Sequence, residues 1–391
     1  MWPRLVKSMK VLNICLLSIF TDGFSYQDNL LSKYQRLNGN DVTVITSKYK
    51  YSPNGKLTKC QCDDYIDKLG IRILRLATGK NKDFNSKFKL FKNFYKSIEQ
   101  INSDVIFCHN MQFFDLLKVI KYVKRHPSVK LYIDSHADHN NSAKGVLSKK
   151  ILHGIIWKCL AHKALPYTEK FFGVTPARVD FLIDVYGLPK EKVELLPLGA
   201  DDDLVANNRK PEIRDNLRKR LGISDNQILI VSGGKIDHNK PQTLKLMSAV
   251  NVIDDDAVHL IVFGSVEDNL KIGFNSELSN RVTYIGWKNI EEIYELFAAA
   301  DIVAFPGLHS VLWEQAVGIG KPCIFKRIPG FDHIDLGGNC MFFESDSVDE
   351  YVRVIKQAIQ NIAEMKKVAE ERGIPTFSYR RIAEKSIGGL K

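Results

Sequence analysis

The sequence predicts an α/β protein made of two doubly wound domains. Short apolar strands alternate with amphipathic helical stretches along the whole chain, and the strands are continuous apolar runs. Continuous runs are typical of parallel strands that are buried on both faces. A chain of 391 residues is also long enough for two domains of about 200 residues each.

The first series of strands and helices is assigned to residues 1–205. The predicted strands are residues 11–20, 42–47, 71–76, 105–109, 131–135, 171–174 and 193–199. Helical stretches lie between them, for example residues 26–37 and 113–124. Basic residues before the first apolar run imitate a secretion signal, but no cleavage site of small residues follows it. We therefore expect that run to be a buried first strand.

The pattern restarts after the polar residues 206–211, which we expect to form a hinge. The second series of strands is predicted at residues 228–232, 260–264, 282–286, 302–306, 323–326 and 340–343, with helices at 291–300 and 348–369. We assign residues 206–375 to the second domain, and we expect a helix in residues 376–391 to pack back towards the first. Two such domains are expected to face each other across a cleft, because ligands bind beyond the carboxyl ends of parallel strands.

Composition excludes several classes of protein. Hydrophobic residues make up 45% and charged residues 26% of the chain, as in ordinary globular proteins. No apolar run is long enough to cross a membrane. Seven cysteines are few and odd in number, which indicates reduced thiols in a cytosolic protein. The glycine patterns of dinucleotide-binding proteins and P-loop enzymes and the nucleophile elbow of hydrolases are absent.

The positive charge lies in one half of the chain. Residues 1–200 contain 32 Lys and Arg against 17 Asp and Glu, whereas the remaining residues contain 24 against 28. Within this half, residues 80–96 place aromatic side chains at helical spacing between lysines. This pattern predicts a helix lying on an anionic membrane. The alternative is a helix packed in the core with a lysine-rich outer face.

Three loops of the second domain follow predicted strands and contain candidate ligand-binding residues. The first contains Gly234, Lys235 and Lys240, and lysines around a glycine turn are suited to holding a diphosphate. The alternative is a solvated turn. A second loop contains Tyr284, Ile285 and Trp287, where the backbone can contact a nucleobase and the indole can stack on it. Ordinary aromatic packing is the alternative for Trp287.

The third loop leads into a predicted helix. Ser310 is a suitable N-cap residue, and the backbone amides of Ser310, Val311 and Leu312 would then form an anion site. Glu314 lies one turn into the helix, where it can accept hydrogen bonds from a ribose diol. The helix dipole alone also favours a glutamate at this position.

These motifs resemble the family 4 glycosyltransferases, which are retaining enzymes with the GT-B fold of two Rossmann-like domains. Residues 314–322 resemble the family pattern E-A-x-x-x-G-x-P with one additional residue, Gln315, between Glu314 and Ala316. The family's basic phosphate loop matches Gly234, Lys235 and Lys240, with Lys235 in place of the usual arginine. The resemblance covers nearly the whole chain and is strongest over residues 171–326. It implies a nucleoside-diphosphate sugar as donor, and it places Gly23 in a loop over the donor phosphates.

The resemblance also identifies candidates near the sugar. His136 matches the family's histidine that faces the donor sugar, and Asp138 is the nearest carboxylate. The family carries an acidic residue eight positions before Glu314, but Pro306 stands there in this chain. His309 is the polar residue that we expect to replace it. An ordinary loop position remains the alternative for His136, Asp138 and His309.

The sequence therefore predicts a retaining hexosyltransferase that uses a UDP-sugar and a glycan acceptor, expected to be lipid-linked, in surface polysaccharide synthesis. We expect no cofactor and no metal, and a cytoplasmic protein bound peripherally to the inner face of the membrane. The alternatives are a GT-B protein that binds nucleotide-sugars without catalysis and a nucleotide-sugar epimerase on the same fold. Nucleic-acid binding is disfavoured, because only the net charge suggests it and the chain lacks the motifs of known nucleic-acid-binding platforms.

Overall fold

The computed structural model describes residues 8–52, 55–78, 90–139, 142, 145, 148–238 and 241–389. The chain forms two compact units, of which unit 1 comprises Met1–Pro197 with Tyr379–Lys391, and unit 2 comprises Leu198–Ser378. The division falls after Pro197, before the polar residues 206–211. The hinge prediction for those residues is wrong in part, because residues 206–208 belong to a helix.

Unit 1 contains ten strands and six α-helices among its described residues. The strands are β1 (Lys10–Cys15), β2 (Asp41–Ser47), β3 (Tyr49–Tyr51), β4 (Leu57–Lys59), β5 (Asp64–Ile66), β6 (Arg72–Leu76), β7 (Val105–Cys108), β8 (Lys130–Ser135), β9 (Thr168–Gly173) and β10 (Val193–Leu195). The helices are α1 (Gln27–Leu37), α2 (Phe94–Ile101), α3 (Leu116–Arg125), α4 (Lys158–Ala164), α5 (Pro176–Asp184) and, at the end of the chain, α15 (Tyr379–Ser386). A π-helical segment (Ser148–Trp157) and 3-10 turns (Leu165–Tyr167 and Lys190–Lys192) complete the unit.

The main sheet of unit 1 has the order β10-β9-β8-β7-β1-β2-β6-β5, and only β5 runs antiparallel to its neighbour. The strand order reverses between β1 and β7, so the loops after these two strands flank a topological switch point. Helix α15 packs on α1 within this unit, where the rings of Tyr34 and Tyr379 lie 6.5 Å apart and the side chain of Gln35 donates to the hydroxyl of Ser386.

Unit 2 is a second α/β unit, with six strands among its described residues. They are β11 (Ile228–Ile236), β12 (Val258–Val266), β13 (Val282–Tyr284), β14 (Ile302–Phe305), β15 (Cys323–Lys326) and β16 (Cys340–Phe343). The helices are α6 (Asp202–Asn208), α7 (Pro211–Leu221), α8 (Gln242–Val252), α9 (Lys271–Ser276), α10 (Ile290–Ala299), α11 (Leu312–Gly318), α12 (Val348–Gln360), α13 (Ile362–Val368) and α14 (Ile374–Thr376). Short turns of other helix types are Asp268–Leu270, Asp332–Ile334 and Ala369–Gly373.

All strands of the unit 2 sheet are parallel, in the order β13-β12-β11-β14-β15-β16. This is the doubly wound order with a switch point between β11 and β14. Capping residues fix the helices around it. Asn289 and Glu292 form a capping box at the start of α10, and Ser347 caps α12. The predicted helix 348–369 is interrupted at Asn361.

The structure corrects the prediction for residues 80–96. Residues 80–89 lie outside the described part of the chain. Beyond them, Asn93 has a left-handed backbone conformation with φ 58°, and α2 begins only at Phe94. The prediction that the aromatic residues line one face of a membrane-bound helix is therefore wrong at Phe91, whose side chain is buried in the core of unit 1. Among the described residues, no helix is both long and apolar enough to span a bilayer.

Strand β11 extends four residues beyond its predicted end, because it pairs with β12 along nine positions. Glycines allow this close pairing. A Cβ on Gly264, which has φ +118°, would lie 1.8 Å from the carbonyl oxygen of Gly234. A Cβ on Gly233 would lie 2.3 Å from the carbonyl oxygen of Phe263. The two strands therefore approach each other closely at their carboxyl ends.

Gly264→Ala is expected to lower the free energy of unfolding by about 3 kcal/mol, because it combines a strained backbone with a steric clash. Gly222 is a matched control: it has φ +70°, but a Cβ there meets nothing within 4 Å. Gly222→Ala is expected to cost about 1 kcal/mol from backbone strain alone. Urea unfolding measures both values, and equal losses in the two variants would contradict the close approach.

Candidate functional site

The candidate site of unit 2 lies at the carboxyl edge of its sheet, beside the switch point. Lys235 is near the end of β11, and its side chain is 72% exposed with Nζ 3.0 Å from Oδ2 of Asp237. Lys240 lies outside the described residues. A Cβ on Gly234 would lie 3.5 Å from Cδ1 of Leu312. The structure therefore brings the end of β11 beside the start of α11.

The helix that follows β14 begins later than predicted. Helix α11 starts at Leu312 with Val311 at its N-cap position, and no side chain caps it. Ser310 contributes its carbonyl oxygen instead, which accepts from the backbone nitrogen of Trp313 at 3.0 Å. The prediction that Ser310 caps this helix is therefore wrong, because the chain makes one further turn before the helix begins.

Glu314 is completely buried and is bonded by two histidines. Its Oε1 accepts from Nε2 of His309 at 2.7 Å and from Nε2 of His333 at 2.9 Å. His309 belongs to the loop between β14 and α11, and His333 to the 3-10 turn after β15. Two loops at the same sheet edge therefore converge on one carboxylate.

The two imidazoles determine the charge of Glu314. Burial disfavours the ionised carboxylate, but His309 and His333 outweigh this effect and hold the pKa of Glu314 well below its ordinary value. The second oxygen, Oε2, has no hydrogen-bond partner among the described residues. A buried carboxylate oxygen without a partner is costly, so a donating ligand group would stabilise it.

Nitrogen and oxygen atoms of this kind also bind divalent metals. The candidate ligand atoms of His309, Glu314 and His333 lie within 4.8 Å of one another. Nε2 of His309 and Nε2 of His333 are both at hydrogen-bond distance from Oε1 of Glu314, so two ordinary hydrogen bonds account for the arrangement. The expectation that no metal is needed remains a prediction.

The candidate nucleobase loop lines a separate cavity of about 480 Å³ in unit 2. Trp287 is 71% exposed at its rim, while the hydroxyl of Tyr284 donates to the carbonyl of Gly264 at 2.6 Å. The backbone nitrogen of Ile285 donates to Val262 within the sheet. The indole of Trp287 is therefore exposed, whereas the amide of Ile285 already donates within the sheet, so the predicted stacking of Trp287 on a nucleobase remains a prediction.

In unit 1, His136 belongs to a cluster around a buried aspartate. Oδ2 of Asp134 lies 3.5 Å from Nε2 of His136 and 3.5 Å from Nδ1 of His109. Oδ1 of Asp134 accepts from the backbone nitrogen of Asn110 at 2.6 Å. Burial opposes the charge of Asp134, but the histidines hold its pKa well below the ordinary range. The side chain of His136 is 33% exposed, so its ring reaches solvent while a fixed carboxylate orients it.

The remaining predicted residues of unit 1 are held by neighbours. Gly23 has φ +78° in the loop after β1, which explains the glycine. Arg75 lies 3.3 Å from the carboxylate of Asp22 and thereby anchors this loop. Asp138 is buried, and its Oδ2 accepts from Nε of Arg178 at 3.1 Å. Asp138 therefore has a structural partner, and its predicted contact with the acceptor remains a prediction.

Sequence reasoning missed Asp134 and His333. Asp134 is the second-last residue of β8, and His333 follows β15 in the chain. Both lie near the carboxyl ends of parallel strands, which is the edge where ligands bind in open α/β sheets. Their distances from His136 and Glu314 depend on tertiary packing, which sequence spacing does not contain.

The chain is similar to known glycosyltransferases. Residues 213–374 match the family described as glycosyl transferases group 1. The chain is 20% identical over 240 residues to an uncharacterized glycosyltransferase, MJ1607, of Methanocaldococcus jannaschii, with 59% of each chain covered. It is 22% identical over 182 residues to the lipopolysaccharide glucosyltransferase WaaG of Escherichia coli, covering 44% of this chain and 48% of WaaG. The chain thus spans about half of the length of these curated relatives.

Solved structures resemble nearly the whole chain. Alr3699/HepE of Anabaena, in complex with UDP and glucose, has a TM-score of 0.65 at 17% identity, with 96% of this chain and 98% of the other covered. The structure of WaaG has a TM-score of 0.63 at 14% identity, with 97% and 100% covered. The chain therefore has the GT-B fold, and residues 213–374 of its unit 2 match the model of the glycosyl transferases group 1 family.

The hydrogen bonds that His309 and His333 make to Glu314 are expected to appear in the pH dependence of stability. Because the folded pKa is depressed, the stabilisation is complete above the ordinary value of 4.5 and is lost as the pH falls towards the folded value. The free energy of unfolding of the wild type, relative to Glu314→Gln, should fall by about 1.4 kcal/mol per pH unit below that point.

Urea unfolding at several pH values between about 5 and 3 measures this slope. Glu212→Gln, at an exposed position of α7, serves as the control and should show no comparable difference from the wild type. A constant difference between the wild type and Glu314→Gln would show that the buried carboxylate is not ionised.

Proposed function

We propose that the protein is a retaining glycosyltransferase that moves a hexose from a nucleoside-diphosphate sugar to a hydroxyl of a glycan acceptor. The observation that carries this proposal is the buried Glu314, which is bonded by two histidines and belongs to α11, the helix whose first residue, Leu312, lies beside Gly234. The unpartnered Oε2 of Glu314 is suited to accept from a ribose hydroxyl. UDP is the expected nucleotide, and the UDP and glucose in the Alr3699/HepE complex support this class of donor.

Lys235 and Lys240 are proposed to hold the diphosphate. The reaction increases the negative charge on the leaving diphosphate, and fixed cations at that position stabilise the transition state. Lys235 is exposed and near the end of β11, so its ammonium group can leave the carboxylate of Asp237 and bind a phosphate oxygen. Trp287 is proposed to stack on the base at the rim of its cavity.

His136 is proposed to contact the donor sugar, as the resemblance to family 4 implies. Its ring is oriented by Asp134, which favours the imidazole as a donor or acceptor of a hydrogen bond at a fixed angle. We also propose attack on the same face of the sugar that the diphosphate leaves, with retention of configuration. Glu314 and Asp138 are buried and already bonded, which does not favour either as a covalent nucleophile.

A second candidate is a nucleotide-sugar-binding protein without transferase activity. Pro306 replaces the first acidic residue of the family pattern. His309, the expected substitute, directs its Nε2 to Glu314 and has a positioning contact there. Turnover of the donor in the presence of an acceptor separates the two candidates.

The acceptor is proposed to be lipid-linked, with a role in surface polysaccharide synthesis. WaaG, whose name refers to lipopolysaccharide, supports this class of acceptor. Peripheral binding at the inner face of the membrane is proposed from the positive charge of residues 1–200. Phe91 contributes no apolar contact to such a surface, because it is buried.

Lys235→Ala and Lys240→Ala are each expected to reduce transfer from a UDP-sugar by about 10²-fold through loss of diphosphate stabilisation. Lys356→Ala, at an exposed position of α12, is the matched control and should retain wild-type rates. Thermal-shift measurements with UDP, GDP, ADP and their sugars select the donor, and NMR of the product gives its anomeric configuration.

A donor that binds but is never turned over would favour the binding protein. An inverted product would refute retention. Wild-type rates in both lysine variants would refute the proposed diphosphate site.

A further inference from the structure

Unit 2 contains a second cavity at the opposite edge of its sheet. The cavity has a volume of about 310 Å³, and Ala298 and Lys321 contribute to its wall. Ala298 lies shortly before β14, and Lys321 shortly before β15, so the cavity lies at the amino ends of the strands. Gly234 and Glu314 lie at or beyond the carboxyl ends of β11 and β14. The second cavity is therefore distinct from the proposed nucleotide site.

Cationic side chains dominate the wall of this cavity. They are Arg209, Lys210, Arg214, Lys321 and Lys366, against the two carboxylates of Asp215 and Glu370. Both carboxylates are already paired, Asp215 with Arg214 at 3.1 Å and Glu370 with Arg209 at 3.4 Å. Among the residues that the structure describes, neither Lys210 nor Lys366 has an ion pair. The cavity thus contains an excess of positive charge.

Lys321 is the most constrained of these cations. Its Nζ donates to the carbonyl oxygens of Ala298 at 2.8 Å and Ala300 at 2.9 Å, so one of its three N–H bonds is left for another acceptor. Burial lowers the pKa of Lys321 to about 8, and repulsion from Lys366 and the neighbouring arginines contributes, although Asp301 opposes it. A bound anion would relieve this repulsion.

We propose that the cavity at Lys210, Lys321 and Lys366 binds a phosphate group, as a second anion site separate from the nucleotide site. A volume of about 310 Å³ accommodates a diphosphate or a phosphorylated headgroup. Lys210 and Lys366, which have no ion pair among the described residues, and the remaining N–H of Lys321 can supply charge-assisted hydrogen bonds. Both arginines add positive charge but already pair with carboxylates. The proposal does not depend on the transferase activity, because none of these residues belongs to the proposed nucleotide site.

The test is calorimetric titration with inorganic pyrophosphate. Lys210, which precedes α7, and Lys366, on α13, are both exposed, so Lys210→Glu with Lys366→Glu should fold normally, as the melting temperature will show. We expect this double variant to bind one pyrophosphate fewer, or at least tenfold more weakly, than the wild type. Lys219→Glu with Lys356→Glu makes the same change of charge at exposed positions of unit 2 outside the cavity and should bind as the wild type does.

Vesicles distinguish a free phosphate from a lipid headgroup. Flotation with phosphatidylcholine vesicles, with and without phosphatidic acid, is measured for the wild type and both double variants. Loss of binding to phosphatidic acid in the cavity variant alone identifies a headgroup, and loss of pyrophosphate binding alone identifies a free ligand.

Equal binding of both probes by the cavity variant and the wild type would overturn the proposal. So would equal losses in the two double variants, which would show that only net charge matters. Unchanged affinity for UDP in the cavity variant separates this result from the proposed function.

Discussion

The arrangement at the candidate site depends on one buried charge. A carboxylate without solvent is strongly disfavoured unless hydrogen-bond donors surround it, and Glu314 obtains two from His309 and His333. These three residues come from α11, from the loop before it and from the turn after β15. The pair of imidazoles therefore ties neighbouring loops together and fixes the direction of the remaining carboxylate oxygen.

The sheet explains why these loops are neighbours. Strands β11, β14 and β15 are neighbours in the sheet and run parallel, so their carboxyl ends lie at one edge. Glycines at 233 and 264 allow β11 and β12 to pair to their last residues, where side chains would otherwise clash. Unit 1 also carries its candidate residues at the carboxyl ends of its strands. Gly23 lies in the loop after β1, and the cluster around Asp134 lies at the end of β8, near the switch point of this unit.

Much of this architecture could be predicted from the sequence. Continuous apolar runs predicted the strands, and the start and end of β15 and β16 match the prediction. The predictions that were wrong depend on contacts between distant residues. Gly233 and Gly234 suggested a loop, but pairing with β12 keeps them in a strand. Phe91 fitted a surface helix by spacing, but the core of unit 1 buries it.

The same distinction applies to the site. Glu314 and Gly234 were identified from local motifs, whereas the role of His333 depends on a loop 19 residues further along the chain. Ser310 was assigned to a cap on the basis of residue type, but the last turn of the loop places Val311 there. His309 was expected to contact the sugar, and the structure shows its ring bonded to Glu314. Sequence patterns thus identify the chemical groups, while packing decides which of them act together.

We propose that the carboxylate of Glu314, which is bonded by two histidines, binds the ribose of a nucleotide. The most direct test compares the affinity for UDP with that for 2′,3′-dideoxy-UDP in the wild type and in Glu314→Gln. A charge-assisted hydrogen bond predicts that the wild type prefers UDP by about tenfold or more, and that the variant loses most of this preference. An equal preference for UDP in both proteins would show that Glu314 does not bind the ribose.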